Sequence, residues 1–151
     1  MKRVRLSLKA IIIRDGHVLL IRNRDASGDW YLLPGGGQEH GEAIPVSLNR
    51  ECVEEIGSEV EVGRLRIVRD YIGKHHEFAK EDGDAHQVEL MFECTLRGSP
   101  RMGSVPDPMQ TGVEWLPLDE LETHRIYPSA LKSMLAGISD HDGPVYLGDV
   151  N

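Results

Sequence analysis

Residues 36–58 read GGQEHGEAIPVSLNRECVEEIGS, and this stretch decides the fold. Ile44, Leu48, Cys52 and Ile56 recur at every fourth position, which draws one apolar stripe along a helix. Pro45 is tolerated only in a first turn, so the helix starts near it, and Gly57 is placed to end it. At about 100° per residue, Glu51, Glu54 and Glu55 fall in an arc of roughly 100° beside the apolar stripe rather than opposite it. That flank is where a helix borders a cleft. Like charges three and four residues apart repel, and partial burial raises the cost. Arg50, four residues before Glu54, offsets part of it, and a divalent cation would offset far more. Hard carboxylate oxygens suit Mg²⁺ or Mn²⁺ rather than zinc. The glycine turn before the helix lets backbone approach a ligand closely. Together these features point to metal-assisted hydrolysis of a phosphate ester or anhydride. Taken singly, each of these glutamates would instead read as part of a solvated face with Arg50 as its ion-pair partner.

Outward from the helix the pattern changes period. Before it, Val4, Leu6 and Leu8 alternate with polar residues and Ala10 to Ile13 run apolar, as in a strand that becomes more buried. Asp15-Gly16 is a hairpin signal, with His17 to Ile21 as the returning strand. A polar loop at 24–29 and a short apolar Trp30 to Leu33 follow, and Pro34-Gly-Gly-Gly37 is expected to break regular structure. After the helix, strands are expected at 59–72 and 86–97, separated by a polar, histidine-bearing loop at 74–84. A second loop, rich in glycine and proline, spans 98–110. A short strand at 113–116 and helices at 118–124 and 128–138 complete the reading, and the tail from Ser139 carries no signal. Strands and helices mix without a regular βαβα alternation, so the expected class is α+β, with a mixed sheet between helices.

Length and charge narrow the function. The 151 residues fit one domain, 1–151, and the net charge of −8 disfavours binding of long nucleic acid, which needs a basic face. An anionic substrate would need cations from the site itself. Cys52 and Cys94, the only cysteines, exclude a disulfide scaffold and a four-cysteine zinc site, and free thiols suit a reducing compartment. The opening MKRVRLSLKAIIIR is basic and then apolar, but its run from Ala10 to Ile13 is far short of the ~7–15 residues of a signal-peptide core. No stretch approaches the ~18 apolar residues of a membrane span. A cytoplasmic protein with no membrane partner is the expectation.

The helix and its approach match G-x5-E-x7-R-E-U-x-E-E-x-G-U, the Nudix box, where U is a bulky aliphatic residue. Gly36, Glu42, Arg50, Glu51, Glu54, Glu55 and Gly57 occupy all its fixed positions. By chance this would happen in roughly 1 in 10⁸ windows of ordinary composition. The chain therefore resembles the Nudix hydrolase family in its MutT-like form. The context agrees, with Leu32-Leu-Pro-Gly-Gly-Gly37 before the box and Glu114-Trp-Leu-Pro-Leu-Asp-Glu-Leu121 after it. Cys52 and Ser58 depart from the two aliphatic positions, and neither departure touches a ligand.

The resemblance implies a Nudix-type α/β/α sandwich and Mg²⁺- or Mn²⁺-dependent hydrolysis of a nucleoside diphosphate linked to another group X. Glu51, Glu54 and Glu55 would bind metal, together with the carbonyl of Gly36 or its neighbour Gly35. Arg50, Glu51 and Glu54 would carry catalysis, Arg50 by holding a glutamate in place. Glu42 would be a structural partner or an outer metal contact. The general base lies in the box or outside it, with Asp107, Glu89 and Glu93 as outside candidates. His75, His76 and His86 flank or lie in a loop that would cover the site. His86, Glu89, Asp107 and Tyr71 are the candidate substrate contacts. Trp30, Tyr71 and Phe92 are candidates to stack on a base, although for Trp30 and Phe92 core packing is the expectation. A nucleotide-sensing module on the same fold is the alternative, but such modules usually lose box carboxylates. Isoprenoid isomerases also share the fold, but they need a catalytic cysteine that neither Cys52 nor Cys94 is placed to be. The marks of ADP-ribose and dinucleoside-polyphosphate hydrolases beyond the box are missing. A small nucleotide, either a nucleoside triphosphate or a nucleoside diphosphate sugar such as ADP-ribose, is expected, in a monomer or homodimer.

Overall fold

Alternation in the first strand decides which side of the sheet each helix covers. In the computed structural model, which describes residues 2–151, β1 spans Arg5–Ile11. Leu8 and Ala10 on one face join a core with Leu48, Cys52 and Ile56 of helix α1 (Ile44–Ile56). Ile11 on the other face joins a second core with Leu131 and Leu135 of a later helix. A strand apolar on both faces needs cover on both, and this is the α/β/α sandwich that the sequence implied.

Ile12 interrupts the N-terminal strand, which was expected to be continuous. β2 (Ile13–Arg14) belongs to a second sheet, where the Asp15-Gly16 turn pairs it with β3 (His17–Asp25). There β3 also pairs antiparallel with β4 (Gly28–Leu32) and with a strand from the second half of the chain. Pro34-Gly-Gly-Gly37 does not break regular structure throughout. Gly35–Gly37 forms β5, which pairs antiparallel with β1. A side chain at Gly35 would place its Cβ 1.9 Å from the Leu8 carbonyl oxygen, so only glycine permits this approach.

Helix α1 begins with proline in its first turn and ends at a left-handed Gly57, as the sequence indicates. Next come β6 (Val60–Ile72) and β7 (His86–Leu96), joined by a segment that is not wholly loop. It holds a 3₁₀ turn at Gly73–His75 and a one-turn helix, α2 (Ala79–Asp82), too short to show a period. β8 runs from Gln110 to Pro117, longer than expected, because it pairs with β3 from Asn23 to His17. The two C-terminal helices are shorter than expected. Leu118–Thr123 is 3₁₀, and α3 covers only Leu131–Ala136 before Gly137 and a 3₁₀ turn at Ile138–Asp140. The uninformative tail supplies β9 (Val145–Asp149), parallel to β6.

The mixed sheet has the order β5-β1-β7-β6-β9, with β1 and β7 parallel. Its face toward α3 changes character along β1. Lys9, Met91 and Ile67 form one cross-strand row, Ser7, Glu89 and Arg69 the next, and Arg5, Gln87 and Tyr71 the third. The sheet face thus turns from apolar to polar over three rows, and the polar end opens into a cavity. Among the described residues, no helix is long and apolar enough to cross a membrane.

Candidate active site

One cavity of about 810 Å³ gathers residues from both sheets, α1, α2 and the 98–110 loop. At one end stand Glu51, Glu54 and Glu55 of α1 with Gly35 and Gly36 of β5. The helix stripe fixes this, because burying Leu48, Cys52 and Ile56 turns the glutamate flank toward the glycine strand. Glu55 is only 4% exposed, and its Oε1 accepts the Gly35 amide at 2.7 Å. Burial pushes its carboxyl up to about 8, with Lys9 and the Gly35 amide opposing the rise and Asp107 adding to it. The Glu51 carboxylate packs so closely on Gly36 that a Cβ there would lie 2.5 Å from it.

Arg50 ties these groups together. Its Nε donates to Glu42 at 3.0 Å, its Nη1 to Glu51 at 3.0 Å, and its Nη2 to the Gly37 carbonyl at 3.3 Å. The Glu54 carboxylate lies 3.6 Å from Nη1. Hydrogen bonds from Arg50 and then Ser47 hold Glu42 down at about 2. Glu42 is thus a structural partner of Arg50 in this arrangement.

The 98–110 loop brings Asp107 against this end, within reach of Glu55. Sequence reasoning missed how that loop is held. Amides of Arg101, Gly103 and Val105 donate to the carbonyls of Ile56, Glu55 and Glu54, and the Gln110 side-chain amide donates to the Glu55 carbonyl at 2.9 Å. These are the carbonyls a helix leaves unpaired at its end. A glycine-proline-rich loop after two strands carries no sequence signal for docking on a helix 50 residues earlier.

Of the other candidates, Glu89 and Tyr71 line the cavity, whereas His86 and Glu93 do not. Glu93 pairs with Arg66 and Arg64 on the part of the sheet away from the cavity. His86 bonds Asp70 at 3.3 Å, while His75 and His76 both bond Asp149 at the β6–β9 edge. His75 and His76 thus fasten the edge strand to the segment that carries α2, and His86 links β7 to β6. Phe92 packs against the α1 core as expected, but Trp30 lines the cavity instead of the core. The Tyr71 ring stacks on His76 at 5.6 Å and carries the Arg69 guanidinium at 5.2 Å, so its faces are already taken within the protein. Cys52 and Cys94 are buried free thiols away from the cavity, and burial pushes Cys94 up to about 12.

Among the described residues, no three His, Cys, Asp or Glu side chains form a ready-made metal cage. Mg²⁺ usually takes only one or two protein carboxylates and shares the rest of its shell with waters and substrate phosphates. Three carboxylates around a side-chain-free glycine backbone supply hard oxygens for it. The residues fit such a cation.

Comparison with known proteins agrees with this geometry. The NUDIX domain model matches residues 4–136. A MutT-like protein of Streptomyces ambofaciens is 31% identical over 145 residues, covering 91% of this chain and 84% of that protein. A MutT NUDIX hydrolase from Burkholderia pseudomallei superposes with a TM-score of 0.67 at 28% identity, over 86% of this chain and 95% of that one. A NUDIX hydrolase from Nitrosomonas europaea shares the fold with a TM-score of 0.74 at 20% identity, over 100% of this chain and 81% of that one. Box, glycine strand and matched span together place the chain in the NUDIX domain family, as a Nudix hydrolase.

Proposed function

We propose that the chain hydrolyses a phosphoanhydride bond in a small nucleotide, a nucleoside diphosphate linked to a further group X. The observation that carries this reading is the carboxylate end of the cavity, where Glu51, Glu54 and Glu55 face Gly36 under the control of Arg50. Glu51, Glu54, Glu55 and the Gly36 carbonyl are the proposed ligands of Mg²⁺ or Mn²⁺. When bound, such a cation supplies Lewis-acid neutralisation of the anhydride charge.

The chain's own residues supply the rest. Arg5 and Lys9 line the cavity from β1, and the Arg5 guanidinium lies over Gly37 with no carboxylate partner among the described residues. Both are placed to receive phosphate oxygens. Asp107 is the proposed proton acceptor from the attacking water, being the cavity carboxylate outside the box that adjoins Glu55. The water oxygen bonds to phosphorus, the anhydride P–O bond breaks, and its electron pair leaves on the departing phosphate. Glu89 is less suited to that role, because Arg69 and Ser7 already bind its two oxygens at 2.7 and 3.3 Å. The net charge of −8 argues against long nucleic acid as substrate. Two buried free thiols support a reducing, cytoplasmic setting.

A hydrolysis screen of the purified protein against nucleoside triphosphates and nucleoside diphosphate sugars, with Mg²⁺ or Mn²⁺, tests the reading. Turnover of at least one of these and none in chelator is expected. Cleavage of capped RNA but of no mononucleotide derivative would overturn it. Arg50→Lys supplies a second test. Lysine cannot reach Glu42, Glu51 and the Gly37 carbonyl at once, so turnover should fall by about 10–100-fold, as for loss of an outer-shell partner. An exposed ion pair is worth only ~0–1 kcal/mol and would leave the kinetics unchanged.

A further inference from the structure

Aromatic side chains also gather in the cavity. Trp30, Tyr71, Phe78 and Tyr127 all line it, half of the chain's eight Trp, Tyr and Phe residues. They come from four separate segments, so no local pattern gathers them. Tyr127 meets Trp30 edge-on at 5.8 Å and 73°, and Phe78 at 5.2 Å and 71°. Rings set near right angles make walls rather than a filled stack; Arg125 lies over the Tyr127 ring at 5.8 Å, so Trp30 and Phe78 are the rings without a cation over them among the described residues. The Trp30 indole N–H is buried and has no acceptor among the described residues. Buried donors are nearly always paired, so this one is suited to an acceptor brought by a ligand.

The polar row of the sheet lines the same cavity. Glu89 and Arg69 are 5% and 6% exposed and directly opposed across β7 and β6, joined at 2.7 Å. A buried ion pair is weak evidence for stability, since desolvation consumes most of its attraction. Here it lines a cavity. Burial acts to raise the Glu89 carboxyl, but Lys9 and Arg69 outweigh it and keep the group ionised, hence an acceptor only. The Arg69 Nη1 is taken by the Val150 carbonyl at 2.6 Å and by Asn151, Arg69 lines the cavity, and its Nη2 makes no hydrogen bond among the described residues. Each Glu89 oxygen accepts one bond, from Arg69 or Ser7, and keeps a second lone pair, so the pair offers a fixed carboxylate acceptor beside a fixed guanidinium donor.

We propose that Trp30, Phe78 and Tyr127 with the Glu89–Arg69 pair form a base subsite that selects guanine over adenine nucleotides. Guanine presents two adjacent donors, N1–H and the N2 amino group, to a carboxylate, and its O6 beside them to a guanidinium. Adenine turns its N1 lone pair toward the carboxylate and has no oxygen for the arginine. Cytosine has a single amino donor and a smaller face for the walls. The subsite rests on the hydrolase reading only in that both use one cavity, and its test needs no turnover.

Calorimetric titration of the protein with GMP and with AMP in chelator reads the subsite directly. GMP should bind at least about tenfold more tightly than AMP, the scale of one good bidentate base contact. GMP should also quench the fluorescence of Trp30. Phe78→Ala, on a half-buried position beside a one-turn helix, should weaken GMP about tenfold without changing the melting temperature. Glu89→Gln should bring the two affinities together, and if it fails to fold, Phe78→Ala still decides. Equal or tighter AMP binding, or GMP affinity unchanged in Phe78→Ala, would overturn the proposal even if the enzyme hydrolyses nucleotides. Preferential GMP binding without turnover on any nucleotide would uphold the subsite and overturn the hydrolase reading instead.

Discussion

Joint exchange of Glu54 and Glu55 for glutamine should reduce metal-dependent turnover by more than the ~100-fold that loss of an outer-shell partner can cost. It should do so without destabilising the metal-free protein. Glutamine at 55 keeps an oxygen to accept the Gly35 amide and gains an N–H that can face Asp107. The effect on stability has a definite sign with pH. The Glu55 carboxyl titrates at about 8 when folded, against an ordinary 4.5, so folding favours its protonated form. Whatever stability that proton contributes is fully present below 4.5 and is lost as pH rises toward about 8. Glutamine does not ionise. The melting temperature of Glu55→Gln should therefore gain on that of the unchanged protein between pH 5 and pH 8, measured in chelator. Unimpaired turnover by the double variant would refute the metal assignment, and a lower melting temperature at pH 8 for Glu55→Gln would refute the account of its burial.

The part of the fold that was legible in the sequence is the part where one local period meets one local constraint. The stripe of Ile44, Leu48, Cys52 and Ile56 with Pro45 and Gly57 fixes α1 almost to the residue, and the same period predicts which flank holds the carboxylates. β9 was not legible because its pairing partner β6 is more than 70 residues away, and Val145–Asp149 is half-buried and too short to alternate clearly. The glycine strand β5 was misread because its only warrant is a contact with the Leu8 carbonyl, which no neighbouring residue announces. The site follows the same division. Carboxylates on one helix turn can be read from spacing, whereas Trp30, Phe78 and Tyr127 meet only through the packing of both sheets and the α2 segment. Trp30 looked like a core residue because it is large and apolar, and only the polar row beside it shows that its pocket is open. His86 looked like a site residue because it follows a covering loop, yet the strand end turns it to Asp70.

Gly103→Ala should abolish most of the activity although Gly103 does not line the cavity. A Cβ at this position would lie 2.0 Å from the Glu54 carbonyl oxygen and 2.8 Å from that of Val53, both main-chain atoms that cannot move aside. The loop must then lift from the helix end. It would lose the bonds from Gly103 to the Glu55 carbonyl at 3.2 Å and from Val105 to the Glu54 carbonyl at 3.1 Å. Asp107, two residues beyond Val105, would leave Glu55 with them. Turnover should therefore fall to about the level of Asp107→Asn, which for loss of a positioned acid–base group is about 10²–10⁴-fold. The core residues of α1 stay buried, so the loss of stability should stay near the ~1–3 kcal/mol of an overpacked contact. A cycle of the two changes separates positioning from general damage. If Gly103 acts by holding Asp107, the double variant should be no slower than either single one, because residues that act as a unit are not additive. Gly143→Ala, where a Cβ meets nothing within 4 Å, should leave turnover and stability as they were. Multiplicative losses in the double variant, or full activity in Gly103→Ala, would show that Gly103 does not act by holding Asp107, and full activity in Asp107→Asn would show that Asp107 does not take the proton.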